Sequence, residues 1–481
     1  MTLRLQQEQR SMRTTPSVAE TKQRLERTGQ QHLLAFWDSL DESRREALLE
    51  AIVQLPLEHI SSMLSQAASL ARPAAADIRP VRPYLRNMAD ASKYRAIGDD
   101  LVKRGKVAAF IVAGGQGTRL GWRGPKGTYP ATPVAGKPLF RVFAEQIMAA
   151  ERAYGVRIPW FVMTSEANHH ETERFFDDNR WFGRPRGDTM LFAQGMVPSV
   201  SLDGQVLLEH AWQPALNPDG HGGSLKALRQ AGAIDHMQAS GIEHLCYFQV
   251  DNPNVHVIDP LFLGLHVAAP DSSAEMSSKS VLKRDVTEKV GVFVKAPRLT
   301  VLEYSDAPKE IAEARDASGE IVYGEGSIAI HIIGVEFIRK LTDHPLGSVL
   351  PWHRAIKKVP FVDPISGQRT DPAEPNAIKL ESFVFDALHE AESPIVLRTD
   401  RVEEFAPIKN ASGEDSPATS KAIQVERAVR WLKEAGIPVP CHANGQPDCV
   451  VEISPLTARS PEDLRRTMQG KSITAGTEVL L

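Results

Sequence analysis

The stretch from Val107 to Gly121 constrains the fold of this chain more than any other. It begins with an apolar run, Val107–Val112, which is too short for a helix and typical of a buried parallel strand. Gly114, Gly115 and Gly117 follow, and they lack the Cβ atoms that would keep a ligand away from the backbone. The pattern predicts a strand that ends in a loop whose N–H groups face an anion.

Two basic residues and the glycine spacing narrow the kind of anion site. Arg119 and Lys126 add positive charge to the loop, so phosphate groups are the expected ligand. Gly115, Gly117 and Gly121 are spaced G-x-G-x-x-x-G, which is one residue longer than the dinucleotide fingerprint. No lysine stands in a Walker pattern. The loop is therefore predicted to bind phosphates, but it is neither a dinucleotide-binding loop nor a P-loop.

Strands and helices alternate after this loop. Residues 138–152 have helical composition, 159–164 form a short apolar strand, and 166–179 are helical again. This alternation predicts an α/β fold with a doubly wound parallel sheet, in which ligand loops lie at the carboxyl ends of the strands. Alternating apolar patterns within 274–333 predict a mixed extension of that sheet.

The chain is predicted to divide into three regions. These are an N-terminal helical region, 1–95, a large α/β domain with the glycine loop, 96–405, and a small C-terminal α+β domain, 406–481. In the helical region, Ser39–Glu42 matches the S-x-x-E capping box, and an apolar stripe over 48–55 follows at helical spacing. The helical region is predicted to form an arm, because it carries no constellation of catalytic residue types.

An acidic residue, Asp251, follows the apolar strand 244–250. The carboxyl ends of parallel strands meet at one edge of a sheet, so Asp251 is expected to face the same crevice as the glycine loop. A Mg²⁺ ion bound to phosphates would use a carboxylate at that place. The alternative is an Asx turn before Pro253. A second glycine-rich loop, 218–223, offers another close approach of backbone to a ligand.

Charge and cysteine content exclude several classes of protein. The chain has 56 basic and 60 acidic side chains and a net charge of −4, which argues against a nucleic acid or an anionic membrane as partner. Cys246, Cys441 and Cys449 form no C-x-x-C pair and are expected to be reduced thiols. No apolar signal core or long apolar run is present, so a cytoplasmic protein is expected.

A series of motifs runs in a characteristic order through most of the chain. The motifs are Ala113–Gly121, Pro125-Lys126, 163–165, 194–198, 218–223, 250–252, 290–292, Glu303-Tyr304, 383–385, 407–411 and 452–455. In this order they resemble the UDP-sugar pyrophosphorylase family, and within it most of all the UDP-N-acetylglucosamine pyrophosphorylases. The resemblance implies a Rossmann-like, GT-A-like nucleotidyltransferase fold with a central mixed sheet, an N-terminal helical arm and a small C-terminal α+β unit.

The resemblance also implies an activity and a set of site residues. The activity is uridylyl transfer, in which UTP and a sugar 1-phosphate give a UDP-sugar and diphosphate with Mg²⁺, or alternatively Mn²⁺, as cofactor. The expected sugar is N-acetylglucosamine 1-phosphate. The implied residues are Arg119, Lys126 and Lys409 for catalysis, Asp251 for the metal, and Ala113, Gly114, Gly115, Gln194, Gly220, His221, Gly291, Glu303, Tyr304, Ser327, Phe383 and Phe385 for substrate binding.

The residue types agree with this chemistry. A sugar phosphate is already an oxyanion at neutral pH, so the reaction requires no general base. Repulsion between two anions opposes the reaction, and fixed positive charges such as those of Arg119, Lys126 and Lys409 would reduce it.

Two positions leave the sugar open. His221 and Ser327 stand where the acetylated-sugar enzymes carry asparagine, and the histidine is similar to the UDP-glucose branch of the family. An imidazole or a hydroxyl offers other hydrogen bonds than an amide does. Because such differences discriminate strongly between substrates, glucose 1-phosphate or a broad range of hexose 1-phosphates is the alternative.

Two further alternatives belong to other functional classes. A glycosyltransferase would usually carry a D-x-D pair after the central strand, and Asp251-Asn252-Pro253 is not one. A non-catalytic nucleotide-binding scaffold would be free to lose the charged residues of the site, yet Arg119, Lys126, Asp251 and Lys409 are all present. Release of diphosphate distinguishes an enzyme from such a scaffold.

Overall fold

The computed structural model describes residues 17–70, 73–344 and 347–481. The described residues form two compact units. The small unit comprises those within 1–71, 195–223 and 350–383, and the large unit comprises those within 72–194, 224–349 and 384–481. The division predicted from the sequence, at residues 95 and 405, stays a prediction.

The helices and strands are as follows. The α-helices are α1 (Val18–Thr28), α2 (Glu42–Gln54), α3 (Ile60–Ser69), α4 (Ala91–Lys103), α5 (Leu139–Tyr154), α6 (His169–Asp178), α7 (Gly223–Gln230), α8 (Ala233–Ala239), α9 (Pro260–Ala268), α10 (Lys309–Ala312), α11 (Val335–Thr342), α12 (Ala387–Glu390), α13 (Arg401–Glu404), α14 (Pro417–Glu434) and α15 (Pro461–Thr467). The strands are β1 (Arg79–Pro80), β2 (Tyr84–Leu85), β3 (Val107–Val112), β4 (Trp160–Thr164), β5 (Thr189–Ala193), β6 (Met196–Pro198), β7 (Val200–Ser201), β8 (Leu208–His210), β9 (Gln213–Pro214), β10 (Leu216–Pro218), β11 (His244–Gln249), β12 (Met276–Leu282), β13 (Val292–Lys295), β14 (Leu299–Leu302), β15 (Glu325–Gly334), β16 (His353–Lys357), β17 (Phe361–Val362), β18 (Arg369–Thr370), β19 (Ala377–Glu381), β20 (Ile395–Arg398), β21 (Cys449–Glu452) and β22 (Thr477–Leu480).

A large mixed sheet forms the centre of the large unit. Its strands follow the order β2-β20-β12-β15-β11-β3-β4-β5. Strands β11, β3, β4 and β5 pair in parallel, as the alternation of strands and helices predicted. Strand β15 runs antiparallel to both of its neighbours, and β13, β14 and β1 continue from it as an antiparallel extension. The predicted α/β class with a central mixed sheet is confirmed.

Burial explains why the central strands pair in parallel. Every residue of β4 and all but the last residue of β3 and of β11 are buried. Strands that are covered on both faces cannot alternate apolar and polar residues, and connecting helices supply the covers. In the apolar core, Phe140 and Phe143 of α5 pack with Trp160 of β4 and Phe248 of β11.

The C-terminal part of the large unit has a core of its own. Trp431 and Leu432 of α14 pack with Val451 of β21 and Leu464 of α15. Strands β21 and β22 pair in parallel. The composition of residues 420–435 predicts a helix, and α14 confirms it with limits only a few residues different.

The small unit packs its three helices against short strands. Leu48 and Ile52 of α2 lie in one apolar cluster with Met63 of α3 and Leu380 of β19. The predicted stripe at 48–55 therefore covers a core. Strand β19 pairs with β16 and β7. The Asp203-Gly204 pair between two apolar stretches predicts a hairpin turn. This turn is present, since the Ser201 N–H donates to the Gln205 carbonyl and Val200 pairs with Val206.

Two local expectations were wrong. The capping box does not form at Ser39, because the Asp41 side chain accepts from the Arg44 N–H and α2 begins at Glu42. Both residues suit an N-cap, and the chain uses the later one. The sequence from residue 224 to about 237 predicts a single helix. The chain forms α7 and α8 instead, because Gly232 adopts φ +71°, a left-handed conformation that ends a helix.

No helix of the described residues is long and apolar enough to span a lipid bilayer.

Two glycines allow α4 and α9 to approach closely. A Cβ built on Gly98 would lie 1.8 Å from the Pro260 carbonyl oxygen, and one on Gly264 would lie 1.7 Å from the Tyr94 carbonyl oxygen. Both neighbours are backbone atoms, so neither can move aside as a side-chain tip could. The two helices therefore depend on glycine at both positions.

We expect Gly98→Ala to lower the melting temperature. The overpacking should cost about 1–3 kcal/mol or more, although alanine by itself favours a helix over glycine by about 0.5–1 kcal/mol. Thermal unfolding followed by circular dichroism measures the difference. The control is Gly187→Ala, where an added Cβ meets nothing within 4 Å. Equal melting temperatures for the two variants would contradict the close approach.

Candidate functional site

The glycine loop leaves β3 and folds back on itself. The Lys126 N–H donates to the Gly115 carbonyl at 3.0 Å, and the Gly117 N–H donates to the Gly124 carbonyl at 3.0 Å. A Cβ on Gly117 would lie 2.7 Å from the Trp122 side chain, so glycine is required for this fold-back. The loop therefore places Lys126 beside Gly115, although eleven positions separate them in the sequence.

The loop presents hydrogen-bond donors and positive charges that no described residue pairs with. No described residue accepts a hydrogen bond from the N–H of Gly114 or Gly115. A Cβ on Gly115 would meet nothing within 4 Å. In the part of the chain that the structure describes, Arg119 and Lys126 have no acidic partner within ion-pair distance. Unpaired N–H groups beside unpaired cations are the properties expected of a phosphate site.

Asn168, which the sequence did not single out, holds this loop from behind. Its side chain is fully buried between β4 and α6. The amide nitrogen donates to the Ala113 carbonyl at 3.1 Å, and the amide oxygen accepts from the Ser165 N–H at 2.8 Å. An asparagine just before a helix is usually taken for a cap, and only the structure shows that its amide reaches the neighbouring loop instead.

Gln194 lies against the glycine loop. It follows β5, and its N–H donates to the Thr164 carbonyl at 2.8 Å. A Cβ on Gly114 would come within 2.4 Å of the Gln194 Oε1 atom. Two of the predicted substrate-binding residues therefore meet at the carboxyl edge of the central sheet.

Asp251 leaves the sheet at the same edge. Strands β11 and β3 pair with Gln249 opposite Val112, and the Val250 N–H donates to the Val112 carbonyl at 3.1 Å. The half-buried Asp251 carboxylate accepts no hydrogen bond from a described residue. The Asx turn considered for Asp251 is therefore absent from the described residues. Asn252 instead makes such a contact, accepting from the Asn254 N–H at 3.3 Å.

The backbone just before Lys409 is hydrogen-bonded to the backbone of Asp251. The Ile408 N–H donates to the Asp251 carbonyl at 2.9 Å. The Lys409 N–H donates to the Asp415 carbonyl at 2.6 Å, and its ammonium group lies 3.5 Å from the Asp415 carboxylate. Asp415 was not predicted from the sequence, because an acidic residue in an exposed loop is unremarkable until its lysine partner is known.

Three of the predicted sugar-pocket residues meet at the antiparallel extension of the sheet. The Ser327 N–H donates to the Gly291 carbonyl at 2.8 Å, and a Cβ on Gly291 would lie 3.1 Å from the Glu303 Oε1 atom. Tyr304 is 52% exposed, which leaves its ring accessible to a ligand. Phe385 is buried in a short 3₁₀ helix, Val384–Asp386.

The other predicted residues, Gly220, His221 and Phe383, belong to the small unit. Gly220 has φ +83°, and a Cβ there would lie 2.3 Å from the Ser382 carbonyl oxygen. The His221 ring stacks on the Phe383 ring with 5.2 Å between centroids, and His353 packs on the same ring at 4.5 Å. Burial, and to a lesser extent the nearby His353, lowers the pKa of His221 to about 4, so His221 is neutral at pH 7.

A separate cluster, formed by His256, Asp259 and Glu404, has the ligand spacing of a metal site. Its cation is already supplied by the protein. The Lys279 ammonium group lies 2.7 Å from Asp259 and 2.5 Å from Glu404, and Arg86 lies 2.6 Å from Asp259. Burial raises the pKa of Glu404, and the charge of Lys279 and its neighbours outweighs this and lowers it to about 2. The cluster therefore does not fit a metal ion.

Asp251 fits Mg²⁺ better. Its carboxylate is available, and Mg²⁺ in phosphate-transfer sites commonly uses one or two carboxylates and takes its remaining ligands from phosphates and water. The neighbouring glycine loop could hold those phosphates.

Comparison with known proteins identifies relatives over nearly the whole chain. The sequence profile of a family described as UTP–glucose-1-phosphate uridylyltransferase matches residues 65–422. The human UDP-N-acetylhexosamine pyrophosphorylase-like protein 1 is 35% identical over 95% of this chain and 96% of its own length. The UDP-N-acetylglucosamine pyrophosphorylase of Saccharomyces cerevisiae is 32% identical over 87% of this chain and 92% of its own.

Solved structures agree with these relatives. The UDP-N-acetylglucosamine pyrophosphorylase of Trypanosoma brucei, solved with an inhibitor, has a TM-score of 0.78 at 26% identity and covers 95% of this chain and 96% of its own. A UDP-glucose pyrophosphorylase variant of Leishmania major has a TM-score of 0.60 at 16% identity, covering 97% of this chain and 91% of its own. The second similarity concerns the fold alone.

We expect Gly115→Ala to weaken nucleotide binding without loss of stability. The added Cβ meets no protein atom within 4 Å, so it would enter the space in front of the loop where phosphates are predicted. Titration calorimetry with UTP should show at least a tenfold higher Kd, about 1.4 kcal/mol. Gly187→Ala is the matched control. Unchanged UTP binding in Gly115→Ala would mean that the nucleotide lies elsewhere.

Proposed function

Because the chain belongs to the UTP–glucose-1-phosphate uridylyltransferase family, we propose that it transfers a uridylyl group from UTP to a sugar 1-phosphate, giving a UDP-sugar and diphosphate. The sugar phosphate we propose is N-acetylglucosamine 1-phosphate, which agrees with the names of its relatives. The observation that carries this proposal is the glycine loop, whose unused N–H groups and cations lie at the same sheet edge as Asp251. We further propose that the fold is of the GT-A-like nucleotidyltransferase type and that the enzyme is cytoplasmic.

The reaction exchanges one phosphorus–oxygen bond for another. An oxygen of the sugar phosphate bonds to the α-phosphorus of UTP, and the bond from that phosphorus to the oxygen bridging to the β-phosphorus breaks. Diphosphate leaves with the electron pair. No proton has to be removed from the nucleophile at neutral pH, so the residues of the site act by position and charge.

The charged residues have distinct roles in this proposal. Arg119 and Lys126 bind the triphosphate at the glycine loop, and Lys409 binds the reacting phosphate. Mg²⁺, held by Asp251, supplies charge neutralisation between the phosphate oxygens when it is bound. The Lys409 ammonium group lies 3.5 Å from the Asp415 carboxylate, so it would exchange that partner for a phosphate oxygen.

Glucose 1-phosphate is the second candidate substrate, and the environment of His221 favours it. The ring is stacked on Phe383 and neutral at pH 7, so it offers one N–H donor and one nitrogen acceptor where the acetylated-sugar enzymes have an amide. Ser327 replaces a second asparagine with a hydroxyl. Both candidates require the same uridylyl transfer and differ only in the sugar.

Diphosphate release from UTP and Mg²⁺ tests the reaction. We expect release with at least one of the 1-phosphates of N-acetylglucosamine, glucose, galactose and N-acetylgalactosamine. The reactive sugar identifies the substrate. If UTP binds but none of these four gives diphosphate, a rarer sugar phosphate is the next candidate substrate, and the non-catalytic scaffold is the alternative after it.

We expect Lys409→Ala and Lys126→Ala each to lower kcat by on the order of 10²–10³, because each removes one preorganised positive charge from the transition state. Steady-state diphosphate release measures this effect. Lys433→Ala is the control, since Lys433 is an exposed lysine on α14. A kcat close to that of the unmodified enzyme in either site variant would show that its assignment is wrong.

His221→Asn is expected to raise the kcat/KM ratio of N-acetylglucosamine 1-phosphate over glucose 1-phosphate about tenfold, the effect of roughly one hydrogen bond.

In the unmodified enzyme this ratio should stay constant between pH 6 and 8. The pKa of His221 is lowered to about 4, so the imidazole gains its proton only well below that range. A change of the ratio near pH 6.5 would indicate a histidine with an ordinary pKa.

A further inference from the structure

Asn252 follows the predicted metal ligand and is buried, with 4% of its surface exposed. Its side-chain amide spans the segment before Lys409. The amide nitrogen donates to the Glu404 carbonyl at 2.6 Å, and the amide oxygen accepts from the Ala406 N–H at 3.0 Å. We propose that Asn252 is a positioning residue that sets the place of Lys409 relative to Asp251. The inference rests on the function proposed for Lys409.

The backbone continues the same attachment towards Lys409. The Ile408 N–H donates to the Asp251 carbonyl at 2.9 Å. Asp251 therefore takes part in this contact and Lys409 directly follows its other residue, although more than 150 positions separate Asp251 from Lys409 in the sequence. A change in the Asn252 contacts would move the 404–408 segment and displace both charged groups relative to each other.

The start of the segment is held by charge. The Glu404 side chain is fully buried and pairs with the Lys279 ammonium group at 2.5 Å, and Arg86 lies 3.7 Å from its other oxygen. Buried ions are stable only when they are paired, so Glu404 has little freedom to move. This ion pair and the Asn252 amide hold the same residue, one through its side chain and the other through its carbonyl.

Helix α14 contacts the middle of the 404–408 segment and the residue before it. The buried Ser420 hydroxyl donates to the Ala406 carbonyl at 2.6 Å, and the Arg427 guanidinium donates to the Glu403 carbonyl at 3.1 Å. Residues 404–408 are buried, whereas 410–414 are exposed. Lys409 thus lies between a buried segment and an exposed loop. The buried segment fixes the position of its backbone, and its side chain can still reach a ligand.

Asn252 does not itself meet the reacting groups in this arrangement. Both amide atoms are used by backbone partners, and the side chain is almost completely buried. The amide oxygen also accepts from the Asn254 N–H at 3.3 Å, so backbone groups hold it on two sides. Any effect of Asn252 on the rate therefore passes through the residues that it places.

Asn252→Asp tests the proposal with almost no change of shape. The carboxylate keeps an acceptor for the Ala406 N–H and sets an oxygen against the Glu404 carbonyl in place of a donor. We expect kcat to fall about 10- to 100-fold, because a displacement of the order of 1 Å can cost that much, while the KM for UTP changes less than twofold. Steady-state kinetics on the full chain with Mg²⁺ measures both.

Asn376→Asp is the matched control. In the small unit, the Asn376 amide also bonds to the backbone through both of its polar atoms, accepting from the Val359 N–H at 2.8 Å and donating to the Val359 carbonyl at 3.0 Å. We expect a similar loss of melting temperature in both variants and a loss of kcat only in Asn252→Asp. An equal loss of kcat in both would reduce the role of Asn252 to general stability and overturn the proposal.

A double-mutant cycle with Lys409→Ala separates this inference from the proposed function. If Asn252 acts through Lys409, Asn252→Asp lowers kcat by less than about threefold once Lys409 is alanine. Effects that multiply fully would overturn the positioning role. If Lys409→Ala alone leaves kcat unchanged, the role proposed for Lys409 fails first, whatever Asn252 does. Should Asn252→Asp not fold, Asn252→Ser answers the same question, because its shorter side chain adds no charge and spans less of the segment.

Discussion

The parallel pairing of β3 with β11 is the constraint on which the rest of the candidate site depends. Both strands are buried almost throughout, and Gln249 lies opposite Val112 at their carboxyl ends. Both faces of these strands are covered, so a shift of this register by one residue would exchange the side chains packed on one face for those packed on the other. The close packing of each face therefore fixes the register. The glycine loop and Asp251 emerge side by side because the strands that carry them end together.

The basic side chains of the large unit have two different environments. Lys279 is completely buried and is neutralised by Asp259 and Glu404, because a buried charge without a partner would be too costly to retain. Arg119 and Lys126 have no acidic partner among the described residues and remain in contact with solvent. The first arrangement keeps a segment of chain in place, and the second leaves positive charge available to an anionic substrate. The same residue types therefore serve structure in one place and ligand binding in the other.

Periodic elements and the glycine loop could be predicted from the sequence because local properties determine them. The predicted limits of the strand Val107–Val112 and of the helix α14 agree closely with the observed ones. Local rules failed where two nearby residues could serve equally, as with Ser39 and Asp41 at the start of α2. They also failed at Gly232, whose left-handed conformation divides a pattern that is continuously helical in composition. In such cases the sequence offers several low-energy solutions, and packing selects one.

The sequence by itself determined the α/β class, the family and the residue types of the site, because strand and helix periodicity, glycine spacing and charge are written in consecutive residues. Only the tertiary structure decided which distant residues act together. Asn168 supports the glycine loop, and Asn252 joins Asp251 to the segment before Lys409. These amides look like ordinary turn or cap residues in the sequence. Their partners become known only when burial of the sheet fixes which strands are neighbours, since a hydrogen bond of about 3 Å between remote segments has no local signature.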